Sequence, residues 1–151
     1  MPFFMRKFTL FFFALFFVCL GYASVPDSLT QLIANQNGEE KFATQIALVN
    51  YYFESDDIES VQAQLNQLSK SEFANQKIKQ TEILILEGRV YEKKFDPENA
   101  MKKYFESLEM AQDIQHEKGI AVAQLYIGKV NASENDTEQA LEYLENAHDK
   151  A

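Results

Sequence analysis

The residues with chemical potential in this 151-residue chain are few and scattered. His116 and His148 each stand alone among charged neighbours, His116-Glu117-Lys118 and His148-Asp149-Lys150, where a histidine is a solvated helix-end group rather than a ligand or general base. Asp56-Asp57 and Glu39-Glu40 are acidic pairs, but adjacent carboxylates before a helical stripe suit the positive end of a helix dipole better than an acid–base couple. Cys19 is preceded by Phe16, Phe17 and Val18, which is wrong for the small-residue box used in lipid attachment. Asn131-Ala132-Ser133 and Asn135-Asp136-Thr137 fit the N-glycosylation pattern, which matters only in a eukaryotic secretory route. Catalysis needs a nucleophile with a base, a metal cage or a phosphate-cradling loop, and none is legible. The expectation is therefore no catalytic residue, no metal site and no cofactor.

Chemistry being sparse, the elements carry the information. Arg6 and Lys7 precede an apolar run from Leu10 to Leu20, and Gly21-Tyr22-Ala23 supplies small residues at the spacing a signal peptidase reads. The run falls short of the roughly 18 to 20 residues that cross a bilayer. Residues 1–23 are thus expected to be a signal peptide cleaved near Ala23 rather than an uncleaved anchor, leaving an exported chain, periplasmic or secreted. Eight of the thirteen Phe lie in that segment. Losing Arg6 and Lys7 moves the net charge from −9 to −11, which argues against nucleic acid and anionic membrane as partners. No cysteine remains, so the domain must hold together by packing.

From Val25 onward the apolar spacing is helical. Leu29, Leu32 and Ile33 make a short stripe within residues 24–40, ending at Asn37-Gly38. Three helix pairs then follow, at about 41–70, 71–116 and 118–150. Phe42, Ile46, Val49 and Phe53 face one way on the first helix, and Val61, Leu65 and Leu68 on the second, with Asp57 as N-cap. Ser71 is expected to cap a long helix through Phe73, Ile78, Ile85, Gly88 and Tyr91. Asp96-Pro97 marks the restart, and Gly119 the end of the helix carrying Ala100, Tyr104, Leu108, Ala111 and Ile114. Ile120, Leu125, Gly128 and Ala132 open the last pair, and Asp136 with Gln139 caps the helix of Leu141, Leu144 and Ala147.

The pairs repeat. Shifted by forty, Gly88, Val90, Asp96, Glu98 and Ala100 fall on Gly128, Val130, Asp136, Glu138 and Ala140, and a weaker copy with Tyr52, Asp57, Val61 and Leu65 lies 39 residues upstream. Such repeats signify stacked units that cover one another's apolar faces. A glycine inside a helix costs about 0.8 to 1 kcal/mol relative to alanine, so Gly88 and Gly128 need a close-packing reason.

Over roughly Lys41 to Ala151 these residues resemble the tetratricopeptide repeat. Gly88, Tyr91, Ala100 and Tyr104 match its pattern, as do Gly128, Ala140 and Ala147. Ser107 stands in place of an alanine, Asn131 in place of a tyrosine and Leu144 in place of an aromatic. The usual tryptophan is replaced by Gln45, Leu84 and Gln124, and the closing proline is missing. The period, longer than the common 34 residues or so, fits the longer-helix variant.

The resemblance implies an all-α right-handed superhelix of antiparallel helix hairpins, with a concave wall formed by the first helix of each pair. The wall positions would be Ile46, Asn50 and Phe53, then Glu82, Ile85, Arg89 and Lys93, then Val122, Leu125 and Lys129. Phe53 would be an exposed anchor, and Arg89 with Lys129 would select an acidic segment. Tyr51, Tyr52, Tyr91, Tyr104, Tyr126 and Tyr143 are read as core. The function expected is a non-catalytic scaffold binding a protein or peptide. One alternative is the extracytoplasmic input region of a larger bacterial signalling protein, of histidine kinase or diguanylate cyclase type; a distant third is an enzyme. The last helix is expected to join a second copy or a downstream domain.

Overall fold

The structure is a computed structural model that describes residues 24–149. Among these residues it is all-helical, with no strand. The expected signal segment lies outside the described residues. The chain divides between Thr44 and Gln45 into two compact units.

In the first unit, α1 (Val25–Asn35) starts at Ser24, which shares a capping box with Asp27, and Pro26 occupies its first turn, where a missing N–H costs nothing. None of its residues is fully buried: Leu29 and Ile33 are partly covered and Leu32 is half exposed. After Gln36 and Asn37 comes α2 (Gly38–Glu54); Gly38 takes a φ of +56°, a region natural to glycine. The Thr44 hydroxyl lies 2.7 Å from Gln36 Oε1 and 2.9 Å from the Glu40 carbonyl.

The second unit contains the rest of α2, then α3 (Ile58–Leu68), a 3₁₀ turn (Glu72–Asn75), α4 (Lys77–Lys93), α5 (Pro97–Asp113), α6 (Glu117–Ser133) and α7 (Thr137–Asp149). One turn is used four times. Asp56, Phe95, Gln115 and Asn135 adopt φ between 55° and 64°. In each case the next residue donates its N–H to a carbonyl five back: Asp57 to Tyr52, Asp96 to Tyr91, His116 to Ala111 and Asp136 to Asn131, at 2.9 to 3.0 Å. This is the Schellman closure, which satisfies helix-end carbonyls while reversing the chain. Asp57, Asp96 and Asp136 then cap the following helix by accepting the N–H of Ser60, Asn99 and Gln139. Hydrogen bonds from the Ser60 hydroxyl and N–H hold the Asp57 carboxyl below its usual range, and the Asn99 side chain and N–H do the same for Asp96.

Within the α4–α5 hairpin the contacts run antiparallel. Gly88 faces Tyr104, while the Ser107 hydroxyl donates to the Thr81 carbonyl at 2.9 Å, so positions ascend on α5 as they descend on α4. A Cβ on Gly88 would lie 2.3 Å from Tyr104 Cε1; one on Gly128 would lie 2.8 Å from Leu144 Cγ and 3.2 Å from the Ala140 carbonyl. At both positions the partner helix fills the space a side chain would need, with the packed Tyr104 ring at Gly88 and chiefly the half-buried Leu144 side chain at Gly128. Ala100, Tyr104 and Ala111 are fully covered and join Ile85, Leu108, Ile120, Ala123, Ile127 and Val130 in one core. Tyr91 and Leu144 are half-buried, and Ala140 and Ala147 are buried. The Tyr104 ring stacks on Tyr126 at 5.1 Å and its hydroxyl donates to the Glu92 carboxylate. Burial first, and then the Glu92 charge, push that phenol far above its usual range.

Two sequence expectations are corrected. Ser71 does not start the long helix: its Oγ accepts the Phe73 N–H at 3.2 Å, a side-chain turn that buries Phe73 and closes after one 3₁₀ turn, and α4 begins only at Lys77. Gly119 does not end α5, which stops at Asp113. It sits in the first turn of α6, where a Cβ would come 2.6 Å from His116 Nδ1 and 3.1 Å from Ala111 Cβ. The glycine signal there was close approach rather than termination.

Candidate functional site

Because α2, α4 and α6 are alternate helices of the hairpin series, their unpaired faces fall on one side of the second unit. Between them lies a cleft of about 370 Å³, within the range of small binding sites. Its apolar lining comes from Ile46, Ile78, Ile85, Leu86, Val122 and Tyr126, and its polar lining includes Asn50, Thr81, Glu82, Ser107 and His116. Three cations reach it, Lys79, Arg89 and Lys118, against the single carboxylate of Glu82. This excess of positive charge stands out in a chain of net charge −9.

Arg89 is held in place. It donates to Asn50 Oδ1 at 3.0 Å, and its guanidinium carbon lies 4.1 Å from the Phe53 ring centroid. That stacking corrects the expectation for Phe53, which is only 5% exposed and forms the bed under Arg89 rather than an anchor for a ligand. Ile85, at 6% exposure, belongs to the core and offers the cleft only an edge.

Of the expected wall, Ile46, Asn50, Glu82, Ile85, Arg89 and Val122 line this cleft. Phe53, Lys93, Leu125 and Lys129 are outside its lining. Lys93 instead pairs with Asp56 at 2.6 Å, and Lys129 sits 4.9 Å from the Tyr126 ring centroid. On α6 the lining residues are Lys118, Gly119, Val122 and Tyr126; at 100° per residue Leu125 and Lys129 share the side of the helix that carries 118 and 122, and Lys129 falls beyond the last of the lining residues along the axis.

Among the lining residues outside the expected wall are Ile78, Lys79, His116, Lys118 and Tyr126. Lys79 and Lys118 fall in the first turns of α4 and α6, helices whose N-caps, Gln76 and His116, make no side-chain cap hydrogen bond. A lysine in a first turn opposes the helix dipole, and that signal could have marked them. It was hidden because α4 was expected to start at Ser71 and Gly119 to close α5.

The remaining chemical candidates have structural roles. Asp56 is paired to Lys93 and Asp57 caps α3, while Glu39 and Glu40 fall in the first turn of α2. Asn131 is buried within α6 and its carbonyl closes the α6–α7 turn, whereas Asn135 is exposed. His116 Nδ1 is buried without a hydrogen-bond partner, packed against Gly119, and His148 is exposed on α7. No group of three or more His, Cys, Asp or Glu among the described residues could hold a metal.

A second cleft, about 260 Å³, lies between α3, α4 and α5. Its one cation, Lys103, is shared by Glu87 at 3.0 Å and Glu106 at 3.1 Å. Burial alone would lower the Lys103 pKa, but the two carboxylates outweigh it and raise it. No helix among the described residues is long and apolar enough to cross a membrane. Compared with protein-family models, with curated proteins and with solved structures, the chain matches none.

Proposed function

We propose that this chain is an exported, non-catalytic scaffold of tetratricopeptide type, with its hairpins arranged in a right-handed superhelix, and that the α2–α4–α6 cleft binds an acidic segment of a partner protein. The observation that carries the reading is the convergence of Lys79, Arg89 and Lys118 on a cleft of mixed apolar and polar lining in an otherwise acidic chain. An extended or helical segment could place apolar side chains against Ile46, Ile78 and Val122 and carboxylates against the cations. Preorganisation favours the reading, since Arg89 is already fixed by Asn50 and Phe53 and loses little freedom on binding. Export is supported by the Arg6-Lys7 charge and the apolar run after it.

The test is fluorescence anisotropy with a labelled Glu- and Leu-containing peptide and its Lys-for-Glu counterpart. The acidic peptide should bind and the basic one should not. Lys79→Glu with Lys118→Glu should weaken binding about tenfold or more, a loss of at least about 1.4 kcal/mol. Equal binding of both peptides, or binding indifferent to the double reversal, would remove the cleft as the site.

A further inference from the structure

The same chain carries a segment with the chemistry the cleft asks for. Helix α7 contains Glu138, Glu142, Glu145 and Asp149 and no lysine or arginine. All four are exposed, and their spacing of four, three and four puts them on one stripe. Leu141 lies on that stripe and is 57% exposed, the most exposed leucine among the described residues. The opposite face, with Ala140 and Ala147, is buried. Helices α5 and α6 mix their exposed charges: α5 sets Lys102 among Glu98 and Glu109, and α6 has Glu117 beside Lys118. An exposed stripe that is purely acidic and includes an apolar side chain is particular to α7.

We infer that α7 of one copy docks in the α2–α4–α6 cleft of another, so that the chain assembles head to tail. This rests on the reading of the cleft as a site for acidic segments. It commits to one occupant by charge complementarity: four carboxylates and a leucine on α7 against Lys79, Arg89, Lys118 and the half-exposed Ile78. A copy cannot fill its own cleft with α7, because that helix is packed along α6, with Leu144 against Gly128. Donor and acceptor are then different surfaces. A contact of that kind is heterologous, and it propagates into a chain of copies unless the rotation closes a ring.

Sedimentation velocity over a concentration series tests this, with circular dichroism to confirm that each variant is folded. The wild-type chain should show a weight-average mass rising with concentration. Glu142→Lys with Glu145→Lys reverses the donor, and Lys79→Glu with Lys118→Glu reverses the acceptor. Each pair should weaken association at least about tenfold. Mixing the two variants, or combining all four substitutions in one chain, should restore it, because opposite charges again face each other. A wild-type chain that stays monomeric overturns the inference, as does assembly that survives donor reversal. The peptide titration separates the two levels of argument. A monomeric chain that still binds the acidic peptide through Lys79 and Lys118 loses self-docking but keeps the cleft, whereas failure of both removes the cleft as well.

Discussion

Replacing Gly88 by alanine should destabilise the fold, although alanine is the better helix former. The methyl would arrive 2.3 Å from Tyr104 Cε1 and 2.7 Å from Cδ1 and Cζ, against a carbon–carbon optimum of about 3.5 to 4.0 Å. The ring would have to retreat by about 1 Å, and it is held from other sides: it stacks on Tyr126, is fully buried, and its hydroxyl is bonded to Glu92. Overpacking of this kind costs about 1 to 3 kcal/mol, and displacing a hydrogen bond to a charged group adds about 1.5 to 3. The helix-propensity gain returns only about 0.8 to 1. The net expectation is a loss of about 1.5 to 5 kcal/mol, read as a lower urea midpoint at unchanged m. Gly128 provides the comparison. Its blocking atoms belong chiefly to Leu144, a half-buried side chain able to swing aside, so Gly128→Ala should stay close to neutral. In a Tyr104→Leu background the Gly88→Ala change should turn neutral or mildly stabilising. A wild-type-like midpoint for Gly88→Ala, or the same cost in both backgrounds, would refute close approach as the reason for the glycine.

Two more expectations concern the turns. Asp57 and Asp96 have carboxyls held below the usual 3.8 in the folded chain, so their capping contribution is complete above that value and is lost as pH falls through the lower folded value. The double variant Asp57→Asn/Asp96→Asn keeps the caps without the titration and should show a shallower fall in urea midpoint as pH drops below 3.8; superimposable pH profiles would contradict this. Phe95 takes a φ of +57° while 94% exposed, at a place where the sister turns use Asp56, Gln115 and Asn135. Left-handed geometry costs an ordinary L-residue about 1 to 2 kcal/mol, and Phe95→Asn should recover about 0.5 to 1 of it, with a lower midpoint counting against the argument.

The all-helical architecture was legible because helical spacing persists from Phe42 to Ala147 and because glycines interrupt it only where a partner helix needs the room. Chain reversal at Asp57, Asp96 and Asp136 was legible from capping chemistry. Two starts were not. Ser71 carries a strong cap signature, yet a hydroxyl that accepts an N–H two residues on makes a tight turn as readily as a helix, and nothing local distinguishes the outcomes. Gly119 has the composition of a terminator, and only the positions of His116 and Ala111 show what it does. The wall implied by the repeat resemblance runs through Lys93 and Lys129, whereas the cleft lies toward the first turns of α4 and α6, where Lys79 and Lys118 sit. Phe53 was misread for another reason: an aromatic on a helical stripe looks alike whether it faces solvent or lies beneath an arginine.

The recurring turn also sets a unit of length. Its left-handed residues stand at 95, 115 and 135, and the helices α4, α5 and α6 that flank them are each 17 residues long. One extra residue inside such a helix would rotate everything beyond it by about 100°, carrying Gly88 or Gly128 off its partner and turning the cleft residues toward the core. Twenty extra residues bring the chain to another turn facing the opposite way, and forty restore both direction and face. Change in this molecule is therefore quantised. The chain tolerates growth or loss by whole hairpins far better than by single residues, and variation in its binding surface must come from substitution at fixed positions rather than from insertion within them.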